Sequence, residues 1–270
     1  MERISYFCTN MRQVRPKKNL GQHFLTDLSI ARRIADTVDA CPTLPVLEVG
    51  PGMGVMTQFL VEKPRKLKVV EIDRESVAYL KETLFMGNDS EDHIIEGDFL
   101  RMDLRQVFDG QQFVLTGNYP YDISSQIFFK MLDYRDLIPC CTGMIQHEVA
   151  LRMAAKPGSK QYGILSVLLQ AWYDIEYVLS VGPGAFNPPP KVKSAVIRLK
   201  RNSRTELGCD EKLFKQVVKT AFNQRRKTLR NALKPLLKEG ANTTDPIFEL
   251  RAEKLGVEDF VRLTGIVSRQ

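Results

Sequence analysis

The chain has 270 residues, of which 43% are hydrophobic and 26% charged, and its formal net charge is +7. This is the composition of a soluble globular protein, long enough for one full-sized α/β domain with a smaller appendage, and no apolar run has the length of a membrane span. Three histidines and five cysteines without a Cys-x-x-Cys pair argue against a metal site and against a disulfide framework.

The positive charge is concentrated near the two ends of the chain. Residues 201–270 contain 15 Lys and Arg against 9 Asp and Glu, and a second basic cluster comprises Arg12, Arg15, Lys17 and Lys18. Such asymmetry is typical of a protein with a polyanionic partner, although a solvated surface explains it equally well. The first residues lack the apolar core of a signal peptide, so we expect a cytoplasmic protein.

Taken in chain order, the sequence predicts alternating helices and strands. Residues 1–18 are predicted to form a flexible basic arm, within which Met11 is, by hypothesis, the natural start. An amphipathic helix at 28–38 precedes the strands, which are predicted at 45–49, 67–73, 93–98, 113–116, 140–146, 173–181 and 194–200. Intervening helices are predicted at 55–62, 74–85, 123–132, 148–154 and 164–171.

This alternation predicts an α/β fold with a parallel sheet, helices on both faces and a final antiparallel hairpin. The order fits the seven-stranded, Rossmann-like methyltransferase variant of the doubly wound fold. We place this domain at 19–203. The remainder, 204–270, is predicted to be a small all-helical domain, with helices at 213–223, 224–237, 247–255 and 257–267.

Three glycines follow the first strand of the predicted sheet. Gly50, Gly52 and Gly54 let the backbone turn tightly and approach a ligand closely, because they carry no Cβ. Their spacing differs from the dinucleotide pattern G-x-G-x-x-G, which disfavours a nicotinamide dehydrogenase. A purely structural turn remains an alternative.

Acidic residues end the next two strands. Glu71 lies 21 residues after Gly50, where a carboxylate can accept hydrogen bonds from both hydroxyls of a ribose. Asp98 could accept the exocyclic amine of an adenine. Asp73 is a weaker candidate, and an N-cap role is the alternative for Asp73 and Asp98 alike.

The segment Asn118-Tyr-Pro-Tyr121 follows the fourth strand and is the predicted reaction centre. Asn118 Oδ1 and the carbonyl of Tyr119, held by Pro120, can each accept one N–H of a planar amine, which directs the nitrogen lone pair at a methyl donor. Tyr121 offers a ring on which a base stacks. Catalysis would then be alignment plus electrostatics, on a base that is flipped out or single-stranded. A plain tight turn is the alternative.

Seven motifs in this order resemble the small-subunit ribosomal RNA adenine dimethyltransferases, the KsgA (RsmA) family. They are Asn19-Leu-Gly-Gln-His-Phe-Leu25, Val46-Leu-Glu-Val-Gly-Pro-Gly-Met-Gly54, Val70-Glu-Ile-Asp73, Gly97-Asp-Phe-Leu100, Asn118-Tyr-Pro-Tyr121, Phe186-Asn-Pro-Pro-Pro-Lys-Val192 and Ala221-Phe-Asn-Gln-Arg-Arg-Lys-Thr-Leu-Arg230. The resemblance implies dimethylation, dependent on S-adenosylmethionine, of N6 of two adjacent adenosines near the 3′ end of 16S ribosomal RNA. It also implies a monomer that acts in small-subunit biogenesis on a 30S precursor.

The resemblance also implies roles for individual residues. The cofactor would be contacted by His23, Leu25, Gly50, Gly52, Glu71, Asp98 and Asn118. Asn118 and Tyr121 would also serve the adenine, and Phe186 would stack on the opposite face of the base; a core aromatic is the alternative for Phe186. The family usually has Leu in place of Tyr119, and since only the backbone carbonyl acts, we expect the change to be tolerated.

A basic cluster is predicted on a helix through 222–237. An apolar stripe at helical spacing forms its core face, and Arg225, Arg226, Lys227 and Arg230 lie away from that stripe. These residues could contact RNA phosphates and position RNA without reading its sequence.

Two other functions fit parts of the same pattern. A large-subunit rRNA adenine methyltransferase of the Erm type would share the cofactor site and the Asn-x-Pro-Tyr motif, but the Gln-Arg-Arg-Lys-Thr-Leu-Arg segment and the Pro-Pro-Pro-Lys turn favour the small-subunit enzyme. A non-catalytic assembly factor on the same scaffold is disfavoured by the intact Glu71, Asn118, Pro120 and Tyr121.

Overall fold

The computed structural model describes residues 16–17, 23–86 and 90–270. Met11 and most of the predicted arm lie outside these ranges. The strands in the described ranges are β1 (Phe24–Leu25), β2 (Val46–Val49), β3 (Leu67–Glu71), β4 (Ile94–Glu96), β5 (Val114–Thr116), β6 (Cys140–Gln146), β7 (Tyr173–Val181), β8 (Phe186–Asn187) and β9 (Ser194–Arg201). The α-helices are α1 (Leu28–Asp36), α2 (Thr57–Leu60), α3 (Arg74–Thr83), α4 (Ser90–His93), α5 (Ser124–Asp133), α6 (His147–Ala154), α7 (Ile164–Gln170), α8 (Glu211–Asn223), α9 (Leu229–Ala232) and α10 (Val257–Ser268).

Seven strands form one sheet in the order β4-β3-β2-β5-β6-β9-β7. The first five are parallel, and β9 pairs antiparallel with both β6 and β7. This is the sheet that the sequence predicts, so the prediction of a Rossmann-like class I methyltransferase fold is confirmed. The carboxyl ends of the parallel strands meet at one edge, which is where open α/β sheets bind their ligands.

Helices cover both faces of the sheet because each buries an apolar stripe. Asp27 is the N-cap of α1, and its carboxylate accepts hydrogen bonds from the backbone N–H groups of Ser29 (2.9 Å) and Ile30 (3.1 Å). Its residues Ile34 and Ala35 are fully buried against one face. The opposite face packs on α5, α6 and α7.

The helical segment after β9 packs onto the same core as the second face of the sheet. Phe222 on α8 contacts Tyr162 (ring centroids 6.0 Å apart) and Phe260 on α10 (5.8 Å). These residues belong to one continuous buried cluster with the sheet. Each helix in the described ranges is too short or too polar to span a membrane.

The predicted helix at 224–237 is wrong. α8 ends at Asn223, residues 224–228 form a turn, and only α9 and a short 3-10 helix at Lys234–Leu236 follow. Pro235 has no N–H to donate and stops a regular helix there. The apolar residues of that stretch are therefore brought to the core by a turn, and the basic residues 225–227 sit on the turn itself.

Candidate active site

A cavity of about 260 Å³ lies at the carboxyl edge of the sheet. It is lined by all of the residues predicted to bind the cofactor: His23, Leu25, Gly50, Gly52, Glu71, Asp98 and Asn118. Tyr119, Pro120 and Tyr121 complete its wall. The structure thus brings the predicted cofactor residues and the Asn-Tyr-Pro-Tyr segment into one site.

A two-stranded sheet outside the main one holds the N-terminal segment at this cavity. β1 pairs antiparallel with β8, so that Phe24 lies opposite Asn187 and Leu25 opposite Phe186. The ring nitrogen Nδ1 of His23 lies 2.9 Å from the carbonyl oxygen of Pro188, 165 residues later in the chain. This pairing explains why residues before the first predicted helix reach the site.

The glycine turn and Glu71 form one hydrogen-bonded unit. Gly50 and Gly52 have φ angles of +68° and +56°, which residues with a Cβ rarely adopt. The N–H of Gly52 donates to Glu71 Oε2 over 3.0 Å, and the N–H groups of Ile72 and Asp73 each donate to Oε1 over 2.9 Å. Burial raises the pKa of Glu71 above its ordinary value, and these hydrogen bonds oppose that rise.

Glu48 is a second carboxylate of the cavity, which the sequence analysis did not single out. It is only 1% exposed, and the hydroxyl of Thr57 donates to its Oε2 over 2.7 Å. Burial raises the pKa of Glu48 to about 8, and the nearby charge of Glu71 acts in the same direction. In the sequence, Glu48 is the one acidic residue of an otherwise apolar strand that leads into the glycine turn, and this feature could have identified it as a cavity residue.

Asp73 and Asp98 are both N-caps, the alternative considered for each. Asp73 Oδ1 accepts from the N–H of Glu75 over 3.2 Å, and Asp98 Oδ1 accepts from the N–H of Leu100 over 2.9 Å. Only Asp98 lines the cavity, so the cap role does not exclude a ligand role there. Lys17, at the end of the predicted arm, forms an ion pair with Asp73 (2.6 Å).

The side-chain amide of Asn118 has a fixed orientation. Its Nδ2 donates to the carbonyl oxygen of His23 over 3.2 Å. Because a carbonyl can only accept, the amide nitrogen must face His23, and Oδ1 is left for another donor. Within the described ranges, no residue donates a hydrogen bond to Asn118 Oδ1 or to the carbonyl oxygen of Tyr119.

The ring of Tyr121 stands beside these two acceptors. Its hydroxyl lies 2.5 Å from the hydroxyl of the buried Ser194, and its ring centroid is 5.6 Å from that of His23 at an interplanar angle of 32°. Burial raises the pKa of Tyr121, so the phenol stays protonated and neutral. The ring is thus positioned by its hydroxyl contact with Ser194 and by its contact with the His23 ring.

Phe186 is placed differently from its predicted stacking role. Only 4% of it is exposed, and it belongs to the same buried cluster as Leu25 and Met144. It does not line the cavity. In this structure Phe186 is the core aromatic that holds the proline-rich turn, because β8 turns its side chain inward.

Apolar residues of the cavity were missed by the sequence analysis. Ile72 lines the cavity while 53% exposed, and Phe99 and Leu100 line it after β4. In the sequence, Ile72 is an apolar residue between the strand-ending Glu71 and the polar residues Asp73 and Arg74. That local contrast was the available signal for Ile72.

The four predicted RNA-binding residues divide into two pairs. Arg225 donates to Glu253 Oε2 (2.9 Å) and to the carbonyl of Ser159 (3.2 Å), so it ties a loop to the helical segment. Arg230 forms an ion pair with Glu249 and donates to the carbonyl of Thr243 (3.2 Å). In contrast, the remaining pair, Arg226 and Lys227, is exposed and makes no ion pair or side-chain hydrogen bond with any described residue.

Known proteins resemble the chain over nearly its full length. Residues 13–266 match the family described as "Ribosomal RNA adenine dimethylase". A Bacteroides thetaiotaomicron protein named ribosomal RNA small subunit methyltransferase A is 68% identical, with 95% of this chain and 96% of the relative covered. A Porphyromonas gingivalis protein of the same name is 59% identical, with 96% and 100% covered.

Two solved structures share the fold. A dimethyladenosine transferase from Plasmodium falciparum superposes with a TM-score of 0.74 at 26% identity, covering 89% of this chain and 96% of that one. The 23S rRNA methyltransferase ErmE superposes with a TM-score of 0.66 at 25% identity, covering 91% of this chain and 99% of that one.

Proposed function

The chain belongs to the ribosomal RNA adenine dimethylase family, and we propose that it dimethylates N6 of two adjacent adenosines near the 3′ end of 16S ribosomal RNA. It is an rRNA methyltransferase that uses S-adenosylmethionine. The observation that carries the proposed target chemistry is a pair of acceptors beside the ring of Tyr121, Asn118 Oδ1 and the Tyr119 carbonyl, to which no described residue donates.

The residues of the cavity fit an adenosine-bearing cofactor. A carboxylate offers about four acceptor sites, and backbone N–H groups fill three of those of Glu71, which leaves room for one ribose hydroxyl. Ile72 and Leu100 offer apolar surface for an adenine ring. Asp98 Oδ2 forms an ion pair with the exposed Arg101 (3.4 Å) and keeps a further acceptor site for the exocyclic amine. When bound, S-adenosylmethionine supplies a methyl group already activated on a sulfonium.

The Asn-Tyr-Pro-Tyr segment acts on the target amine. The lone pair of an exocyclic amine is delocalised into the base. In the first transfer Asn118 Oδ1 and the Tyr119 carbonyl each accept one of the two N–H groups, which directs the lone pair out of the ring plane, and in the second transfer one of them accepts the N–H that remains. Each transfer would replace one N–H bond by an N–CH3 bond, with the proton released to water. Tyr121 holds the base by stacking. Since positive charge develops on the nitrogen during transfer, these hydrogen bonds strengthen in the transition state and so raise the rate.

The helical segment serves RNA binding in this proposal. We place the domain boundary at 203/204 and the RNA-binding domain at 204–270. There Arg226 and Lys227 are exposed and have no ion-pair partner among the described residues, so they are suited to phosphate contacts. Arg225 and Arg230 would shape that surface through their internal bonds. We further propose that the protein acts as a cytoplasmic monomer on a precursor of the small subunit.

The experiment is a methylation assay on ribosomal subunits from a strain that lacks the enzyme. Small and large subunits are offered together with labelled cofactor, and methylated adenosines are mapped on both RNAs. We expect four methyl groups per small subunit, on two adjacent adenosines. Marks found solely on the large subunit would overturn the proposed target in favour of the Erm type of activity.

A further inference from the structure

The strand pairing beside the Asn-Tyr-Pro-Tyr segment is interrupted. The parallel ladder between β5 and β6 runs as far as Leu115 and Cys141, then resumes only at an isolated bridge between Asn118 and Met144. The N–H of Tyr119 donates to the carbonyl of Met144 over 3.0 Å, which closes the bridge. The two strands are therefore separated just before the acceptor carbonyl.

The side chain of Tyr119 spans this interruption. Its hydroxyl donates to the carbonyl oxygen of Thr142 over 2.7 Å and lies 3.3 Å from Cys141 Sγ. The ring packs against the bare Cα of Gly143, whose φ is +138° and where a Cβ would lie 2.7 Å from Tyr119 Cε2 and 2.3 Å from the carbonyl oxygen of Gly117. Because neither Gly117 nor Gly143 has a Cβ, the two glycines leave the space that the Tyr119 ring needs.

The Tyr119 hydroxyl is buried and stays protonated in the folded protein. Tyr119 is only 1% exposed, and burial raises the pKa of its phenol well above the ordinary value, so the hydroxyl keeps its proton and remains a donor. The carbonyl oxygen of Thr142 is buried and accepts this hydrogen bond. Removing the hydroxyl would take that donor away, and an unsatisfied buried acceptor is destabilising. Residue 119 is thus fixed to β6 through both its N–H and its hydroxyl.

We propose that Tyr119 is a positioning residue for methyl transfer, because the bond from its hydroxyl to Thr142 fixes the position of its own backbone carbonyl relative to the target amine. Its ring is turned into the core, so Tyr119 meets the cavity through its backbone. The inference rests on the proposed function, in which that carbonyl accepts one N–H. Small displacements of an aligned acceptor lower the rate of a transfer without preventing binding.

The test compares two phenylalanine substitutions that each remove one buried tyrosine hydroxyl. Tyr119→Phe removes the bond to Thr142. Tyr173→Phe is the matched control, because Tyr173 is also 1% exposed and its hydroxyl donates to the carbonyl of Ile138 over 2.8 Å, just before β6 and at the opposite edge of the sheet. Full-length proteins are assayed on unmethylated small subunits below both melting temperatures.

We expect both variants to melt about 2–8 °C below the wild type, since each leaves one buried acceptor unsatisfied. Only Tyr119→Phe is expected to lose kcat, by about tenfold, with KM for the cofactor and for the subunit unchanged. Tyr173→Phe should keep kcat within about twofold of the wild type. Should Tyr119→Phe fail to fold, Tyr119→Leu also lacks the hydroxyl, and Tyr173→Leu is then its matched control, because each removes one buried ring together with its hydroxyl.

Two results would overturn the inference while leaving the proposed function intact. One is wild-type kcat in Tyr119→Phe, and the other is an equal loss of kcat in both tyrosine variants, which indicates a general effect of lower stability. A wild-type protein that does not methylate small subunits would instead overturn the proposed function itself.

Discussion

The side-chain amide of Asn118 donates a hydrogen bond to the backbone carbonyl of His23 over 3.2 Å. This bond joins the end of β5 to a segment 95 residues earlier in the chain. It also determines which atom of the amide is offered to the amine, because the nitrogen is engaged and no described residue donates to the oxygen. Residues predicted for the cofactor and for the target are therefore mechanically linked.

Removing the amide of Asn118 should nearly abolish methyl transfer. Asn118→Ala lacks the acceptor oxygen, and we expect kcat to fall about 10²–10³-fold, the usual cost of one group that stabilises transition-state charge. Asn118→Asp keeps an oxygen but cannot donate to His23, so an intermediate loss is expected. Turnover on small subunits is measured beside circular dichroism. Near-normal turnover in Asn118→Ala would contradict the assigned role.

Removing the carboxylate of Glu71 should weaken cofactor binding. Glu71→Ala loses a hydrogen-bonded charged acceptor and frees three backbone N–H groups of the site, so we expect the Kd for S-adenosylmethionine to rise about 10–100-fold. Asp103→Ala is the control. Asp103 also accepts a backbone N–H, that of Arg105, but it is an N-cap that does not line the cavity. An unchanged affinity of Glu71→Ala by calorimetry would rule out the ribose role.

The exposed cations of the turn after α8 should govern the salt dependence of RNA binding. Each lost phosphate contact lowers the slope of log K against log[salt] by about 0.7–0.9, so the Arg226→Ala, Lys227→Ala double variant should lose up to about 1.8. Arg225→Ala should instead lower Tm, because that guanidinium bonds Glu253 and the Ser159 carbonyl.

The control for this RNA experiment is a Lys66→Ala, Lys81→Ala double variant. Both lysines are exposed and make no ion pair with a described residue, and Lys66 precedes β3 at the edge opposite the cavity. The control removes the same charge. An equal change of slope in the two double variants would show a general charge effect.

The buried carboxyl of Glu48 should make the ligand-free protein less stable as pH rises. Its pKa is about 8 in the folded state against an ordinary value of 4.5, so between these pH values the folded state holds a proton that the unfolded state has released. The free energy of unfolding therefore falls with rising pH through this window, by at most about 1.4 kcal/mol per pH unit from this group.

Denaturant unfolding of the wild type and of Glu48→Gln at pH 5, 6.5 and 8 would measure this dependence. Glutamine keeps the acceptor for the Thr57 hydroxyl and does not titrate. We expect the variant to have the flatter profile. Parallel profiles would mean that Glu48 is ionised in the folded protein at neutral pH.

The sequence alone determined the sheet and the edge of it at which the cavity lies. Short apolar runs predicted its strands. Gly50, Glu71, Asp98 and Asn118 lie within two residues of strand ends, and parallel strands bring their carboxyl ends to one edge. These are local patterns of period and turn chemistry. The end of α8 at Asn223 was predicted, but the turn at 224–228 was missed, because the helical spacing of apolar residues continues across it.

Only the tertiary structure decided what the individual side chains face. Phe186 is buried in the core where β8 pairs with β1. Arg225 and Arg230 form hydrogen bonds within the protein, and the Tyr119 hydroxyl donates to a carbonyl of β6. Each outcome depends on a contact between residues that are separated in the chain. Local sequence carries no record of such contacts, because they arise only when the separate elements pack together.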